Sequence, residues 1–368
     1  MKHIKFQAHR LPVWALLIIT VTAIIFVPSM SRTGSTFSSA MAINKPRTIN
    51  KTMQNIVSRV FNNAMRQTSA KLGSAILLDA NSGAVLALAS AGSSIDGTNV
   101  ATSAWQPGSA LKPLLIAAAL NERAISPKAS YYEPGYRRVD DRLFMNAEFL
   151  PPAKRSVQDI LTYSLNTGAI YILESLGGGS INDKARNTWY SYLTNRYHFG
   201  QAGSGVRAPS GGQNLNLQYA SMAFGTDITV PPLQLAAAYA ALINGGIYYQ
   251  PLLQQDEHRP GQRILSQHTS AIMVKLLHQT LVANEPDALR PGYVTGGKTG
   301  TAPVIGEDGA FKVYADNGVY VGFIGKAKPG YILLVRFDEP KTTGFASKPA
   351  RETWAQISND LIDQNIIQ

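Results

Sequence analysis

WQPGSALKP, residues 105–113, is the stretch on which the reading of this 368-residue chain turns. Ser109 follows a Pro-Gly pair, and Lys112 stands three residues on, a spacing that puts both side chains on one face of a helix. Pro113 is tolerated in a first helical turn, so the helix starts close to Ser109. Such an N-terminus offers a backbone N–H to a developing oxyanion. A serine hydroxyl needs a base to become a nucleophile, and a neutral lysine can serve. Burial or a neighbouring cation makes a lysine neutral.

Two more short motifs follow in chain order. Ser164-Leu165-Asn166 lies in TYSLNTG (162–168), and Lys298-Thr299-Gly300-Thr301 lies in GGKTGTA (296–302). Lys298 is a candidate for the second cation. Thr299 and Thr301 are two apart and so face one side of a strand. Gly296-Gly297 would let that strand's edge come close to a substrate. Ser-x-x-Lys occurs once in the chain, whereas Ser-x-Asn recurs at Ser180-Ile181-Asn182. Ser164 is preferred because it sits in an apolar helical segment. Ser180 follows a glycine run and reads as a helix cap. Singly, each motif also reads as ordinary structure: a cap, or a solvated lysine. The ordered trio is harder to explain that way.

Composition narrows the rest. Hydrophobic residues make up 45% and charged ones 15%, which excludes a disordered chain. Without cysteine there is no disulfide, thiolate metal site or cysteine nucleophile. The net charge of +11 is local: ten bases precede the first acid, Asp79, and the remainder holds 24 bases against 23 acids. The body shows no basic, aromatic-interleaved motif, so no nucleic-acid partner is expected. His3, His9, His198, His258, His268 and His278 show no metal-ligand spacing, and neither metal nor organic cofactor is expected.

Residues 11–31 carry no charge and are long enough for one transmembrane helix. Lys2, Lys5 and Arg10 precede it, which puts residues 1–10 in the cytoplasm and the body outside. Ala40-Met41-Ala42 resembles a signal-peptidase site but lies far past the apolar core, so an uncleaved anchor is the reading adopted. Residues 32–71 read as a basic linker with a short helix at 53–68, and 72–368 as the catalytic domain. Apolar runs at 74–79 and 84–89 around Asn81-Ser82-Gly83 predict a hairpin. Helices are predicted at 110–123, 156–176, 231–243 (capped by Thr229), 265–283 and 349–364, and strands at 293–303, 317–326 and 330–337. Tyr131, Tyr132 and Tyr136 read as loop packing. The fold class is α+β: an antiparallel sheet flanked by helices, with a helical subdomain.

The three motifs in this order resemble those of active-site-serine penicillin-recognising enzymes. With ILLDANSGAVLALAS (76–90), ITVPPLQLAAAYAALINGG (228–246) and NGVYVGFIGKAKPGYILLVRFDEP (317–340), the chain is similar to the transpeptidase domain of class B penicillin-binding proteins. The resemblance runs from about Leu72 to Pro340. It implies the serine β-lactamase-like fold and peptidoglycan D,D-transpeptidation on D-Ala-D-Ala stem peptides. It implies Ser109 as nucleophile, Lys112 as base, Ser164 as proton relay and Asn166 as contact to the substrate amide and to Lys112. Lys298 would supply positive potential. Thr299, Gly300 and Thr301 would bind substrate, and the N–H groups of Ser109 and Thr301 would form the oxyanion hole. Thr167-Gly168 after the Ser-x-Asn motif matches the family. β-Lactams, membrane lipid and a membrane-embedded glycan polymerase are the implied partners, at the extracytoplasmic face of a bacterial inner membrane.

The chain departs from the family in three places. Only about forty residues, 32–71, occupy the place of the usual non-catalytic pedestal. The segment 92–105 is short, and 126–154 has no clean match. A D,D-carboxypeptidase, a serine β-lactamase and a non-catalytic scaffold are the alternatives. Glu285-Pro286-Asp287 superficially resembles a lactamase loop but stands too close to Lys298, and it reads as a helix-to-strand connection.

Overall fold

The computed structural model describes residues 48–92, 99–200, 214–255, 259–305 and 311–367. Residues 1–10, the stretch 11–31 read as a membrane span, and Ala40–Ala42 lie outside the described residues. Among those described, no helix is long and apolar enough to cross a membrane. Lys45–Gln368 forms one compact unit.

Helix α1 (Lys51–Thr68) opens with Asn50, whose Oδ1 accepts from the N–H groups of Thr52 at 3.0 Å and Met53 at 3.1 Å. Strands β1 (Leu72–Asp79) and β2 (Val85–Ala91) form the expected hairpin, turned through Gly83 at φ 77°. A 3-10 turn, Gly108–Leu111, runs straight into α2 (Lys112–Asn121). Two small antiparallel ladders follow: β3 (Ser130–Glu133) with β6 (Ala153–Ser156), and β4 (Tyr136–Val139) with β5 (Arg142–Met145). Next come α3 (Val157–Thr162), α4 (Asn166–Leu176), α5 (Asp183–Ser191), α6 (Leu215–Met222) and α7 (Pro232–Ile243). The pair β7 (Ile247–Tyr248) and β8 (Gln262–Arg263) precedes α8 (Gln267–Asn284). The chain closes with β9 (Tyr293–Ile305), β10 (Phe311–Lys326), β11 (Tyr331–Asp338) and α9 (Ser347–Asp363).

The five long strands make one antiparallel sheet in the order β2-β1-β11-β10-β9. The last three strands therefore join the first hairpin, as their separation in the chain predicts. Register pairs Leu72 with Asp338 and Asp79 with Tyr331. Strands β1 and β11 are buried along almost their whole length because both faces of the sheet are covered there. Ile76, Leu78, Ile332 and Leu334 pack with α2, α7 and α8 in one core. Ala75, Leu77, Leu333, Val335 and Phe337 pack under α1 and α9 in the other. The period of two along each strand sorts neighbours between the layers.

Four expectations are corrected. Helix α1 is no linker segment: Val57, Val60 and Phe61 are buried in the second core, so the folded unit begins well before residue 72. The helix expected over 156–176 is two helices, broken at Tyr163–Leu165. Helix α7 starts at Pro232, with Pro231 rather than Thr229 at the cap position. Ser180 is not a cap: Asn182 holds that place on α5, its Oδ1 accepting from the N–H of Ala185 at 3.1 Å.

Candidate active site

Ser109 sits in the 3-10 turn that leads into α2, a helix whose residues Lys112–Leu120 are all buried. Gly108 has φ 53°, and a Cβ there would fall 2.2 Å from the Thr301 carbonyl oxygen. Only glycine allows this turn to lie against β9. The Tyr239 hydroxyl of α7 donates to the Ala110 carbonyl at 2.6 Å, and the Gly108 N–H donates to Gly225 at 3.1 Å. Upstream, the buried Arg336 grips Asp338 at 2.7 and 2.5 Å, donates to the Val100 carbonyl at 3.2 Å and lies 4.7 Å from the Trp105 ring centre. The turn that carries Ser109 is thus held from three elements.

Lys112 is fully buried, and its Nζ meets four oxygens: Ser109 Oγ at 2.8 Å, Asn166 Oδ1 at 2.8 Å, the Ser164 carbonyl at 2.5 Å and Ser164 Oγ at 3.3 Å. Burial first, and then the charge of Lys298, lowers its pKa well below the ordinary lysine value. The amine is therefore suited to holding the Ser109 proton.

Ser164 stands in the break between α3 and α4 with φ 55°, in the left-handed region. A non-glycine residue there costs about 1–3 kcal/mol and persists only where its surroundings hold it. Both lysines hold it. Lys112 takes its carbonyl, and Lys298 Nζ donates to its Oγ at 3.0 Å. Asn166, first residue of α4, offers Oδ1 to Lys112 because its Nδ2 donates to the Met145 carbonyl at 3.1 Å. That second bond fixes which way the amide points.

Lys298 lies on β9, the sheet's edge strand, and is 2% exposed. Its Nζ also donates to the Thr299 carbonyl at 3.1 Å and to Thr299 Oγ1 at 3.2 Å. Burial lowers its pKa from the ordinary 10.5 to about 7. The three motifs, separate in sequence, thus converge on one chain of contacts from Ser109 through Lys112 and Ser164 to Lys298.

The sequence pattern of the family described as Penicillin binding protein transpeptidase domain matches residues 73–361. The chain belongs to that family. Peptidoglycan D,D-transpeptidase FtsI of Escherichia coli (strain K12) is 26% identical over 322 residues, covering 83% of this chain and 54% of the relative. Stage V sporulation protein D of Bacillus subtilis (strain 168) is 28% identical over 261 residues, covering 66% and 39%. The chain thus spans about half, or less, of the length of these relatives. The transpeptidase domain of Burkholderia pseudomallei penicillin-binding protein 3 superposes with a TM-score of 0.71 at 25% identity, covering 88% of this chain and 97% of that one. Penicillin-binding protein 3 of Mycobacterium tuberculosis, solved with aztreonam, shares the fold with a TM-score of 0.75 at 20% identity, covering 88% and 79%.

In this transpeptidase domain the remaining motif residues divide. The Thr299 hydroxyl joins Lys298, but the Thr301 hydroxyl donates to Ser347 Oγ of α9 at 3.1 Å. Gly300 is a packing residue: a Cβ there would sit 2.2 Å from the Pro107 carbonyl oxygen, in the nucleophile turn. Gly296 and Gly297 are tight packing positions. Cβ atoms there would strike the ring of Phe323 and the ring of Tyr320, each at about 2.6–2.7 Å. Glu285 ends α8 and pairs with Arg351 at 2.5 Å, with Pro286–Ala288 as a 3-10 turn, so the helix-to-strand reading of that stretch holds. Tyr131 packs on Tyr171 with ring centres 4.5 Å apart, whereas Tyr132 and Tyr136 are exposed. Among the described residues no three His, Asp or Glu side chains converge as a metal site. Glu133, Asn146, the Met145 carbonyl, Ser347 and Arg336 went unread in the sequence, since each meets the site through a contact far along the chain.

Proposed function

We propose that this chain is a membrane-anchored peptidoglycan D,D-transpeptidase acting through an acyl-enzyme on Ser109. The observation that carries the reading is the placement of Lys112 Nζ, 2.8 Å from Ser109 Oγ and buried beside a second lysine. Neutral Lys112 takes the Ser109 proton as Oγ attacks the carbonyl carbon of the D-Ala–D-Ala amide bond. The N–H groups of Ser109 and Thr301 receive the oxyanion. The proton passes through Ser164 to the amide nitrogen, the C–N bond breaks and D-alanine leaves. An acceptor amine then attacks the ester, giving up a proton that returns to Ser109 Oγ along the same path. A new amide forms and the serine is free again.

Lys298, still protonated, draws the terminal carboxylate toward β9, with the Thr299 hydroxyl as a donor and the Thr301 hydroxyl turning from Ser347 Oγ to join it when substrate binds. Asn166 holds the substrate amide while steadying Lys112. Residues 1–10 are the cytoplasmic tail and 11–31 the anchor. Residues 32–50 lead to an extracytoplasmic domain that includes α1. A β-lactam is attacked at the same serine, and a membrane-embedded polymerase supplies the glycan strands.

The test is covalent labelling of the full-length chain in detergent by a fluorescent penicillin, read by gel and intact mass, beside Ser109→Ala. Stable label that disappears in the variant is the expected result. A folded wild-type chain that takes no label overturns the acyl-enzyme. Release of D-alanine from a stem peptide without transfer to an added amine would assign a D,D-carboxypeptidase instead. Rapid drug turnover without stable label would assign a β-lactamase.

A further inference from the structure

One fully buried acid takes no part in the steps above. Glu133, the last residue of β3, is 0% exposed, and it faces the catalytic segment rather than the solvent. Its carboxyl accepts from three groups: the Tyr131 hydroxyl at 2.8 Å, the Gly135 N–H at 2.8 Å and the Thr167 hydroxyl, by a short contact. Burial and the neighbouring Glu133 push the Tyr131 hydroxyl above its ordinary pKa, so that group remains a donor. Gly168 makes the approach possible, since a Cβ there would fall 2.6 Å from the Tyr131 oxygen.

Thr167 is the hinge of the arrangement. It directly follows Asn166 in the first turn of α4. Its N–H donates to Asn146 Oδ1 at 3.2 Å, and its hydroxyl lies 2.9 Å from the same oxygen besides meeting Glu133. One residue before Asn146, the Met145 carbonyl takes the Asn166 Nδ2. The segment 133–146 therefore clamps the dipeptide Asn166-Thr167 from both ends. The free oxygen of the Asn166 amide is thereby turned onto Lys112 Nζ at 2.8 Å. A carboxyl is a suitable anchor here, because the first turn of a helix favours negative charge.

We infer that Glu133 is a positioning residue: through Thr167 it sets the Asn166 amide on Lys112, and so sets the rate of Ser109 acylation. The inference rests on the acyl-enzyme reading. A purely structural role, tying β3 to α4, and a positioning role part in a double-mutant cycle. Glu133→Gln keeps the shape and one acceptor oxygen, but it weakens the grip on two hydroxyl donors.

The experiment measures the acylation rate at saturating β-lactam, together with thermal stability, for wild type, Glu133→Gln, Asn166→Ala and the double variant. Loss of position at a reacting group slows chemistry by roughly ten- to a hundredfold, and that is the expected effect of Glu133→Gln. In the Asn166→Ala background the same substitution should cost almost nothing, since the group it positions is gone. Thr167→Val should reproduce the Glu133→Gln rate, and combining them should add little.

Equal losses in both backgrounds, or a lowered melting temperature with an unchanged acylation rate, would overturn the role. If Glu133→Gln fails to fold, the cycle of Thr167→Val with Asn166→Ala decides the matter by the same criterion. A wild-type chain that never acylates rejects the reaction itself, a result distinct from a wild type that acylates and a Glu133→Gln variant that matches it.

Discussion

Ser164 is bound to Lys112 twice, by its carbonyl at 2.5 Å and by its hydroxyl at 3.3 Å, and the hydroxyl is also the point where Lys298 arrives at 3.0 Å. One side chain thus links both buried amines. Its backbone holds the positive φ that breaks the helix there, and the break is what turns the carbonyl toward Lys112 rather than into an α-helical ladder.

Ser164→Ala should therefore leave the fold intact while cutting the link. Alanine tolerates the left-handed region no better than serine, and the carbonyl contact to Lys112 remains. Removing a proton relay should slow acylation by roughly 10²–10⁴-fold. Labelling kinetics with a chromogenic β-lactam check the rate, and thermal melting checks that stability shifts by no more than a few degrees.

The two lysines have opposite requirements, which fixes the pH profile. Acylation needs Lys112 without its proton, so the rate rises with pH through the lowered pKa of Lys112. It needs Lys298 with its proton, so the rate falls as pH climbs past about 7. The second-order labelling rate should trace a bell, with the limb that Lys298 sets near neutrality. Lys298→Arg keeps its charge beyond pH 12 and should remove that limb. An alkaline limb unmoved in the variant would show that another group titrates there.

Gly300 tests the seam between β9 and the Ser109 turn. Gly300→Ala places a methyl group 2.2 Å from the Pro107 carbonyl oxygen, and backbone must move. A cost of about 1–3 kcal/mol in stability is expected for such overpacking. Because the displaced atom is two residues from Ser109, penicillin labelling should fall more than the melting temperature suggests. Urea denaturation beside labelling separates the two effects.

Helix α1 should be indispensable although it is far from the site. Phe61 is fully buried and stacks on Phe337 of β11 with ring centres 5.8 Å apart. Phe61→Ala should cost roughly 3–5 kcal/mol. Denaturant unfolding measures it. A loss under about 1 kcal/mol would mean that α1 is the linker helix its sequence suggested.

How much was legible beforehand follows from the range of each signal. The hairpin at 72–91, α8 and the three closing strands were readable because apolar periodicity and turn residues act locally. The break at Ser164 was not, because Ile160, Leu161, Leu165, Ala169 and Ile170 continue an apolar helical pattern across it. Only the two buried amines reveal why the helix stops. The role of α1 was hidden for a related reason. An amphipathic stripe on a basic segment says that one face is covered, without naming Phe337 and Trp354 as what covers it.

By itself, the sequence determined which side chains are candidates for the chemistry and in what order they come, because Ser109, Lys112, Ser164, Asn166 and Lys298 stand out by spacing and residue type. It also determined the strand patterns that make a sheet buried on two faces. The tertiary structure decided everything that depends on contact between distant residues. It sank both lysines out of water and held Ser164 in a strained turn. It packed Gly300 against the Ser109 turn, paired the Thr301 hydroxyl with Ser347 and put a buried glutamate behind Asn166. Burial and hydrogen-bond geometry are properties of the assembled chain, and they set how readily a lysine gives up its proton.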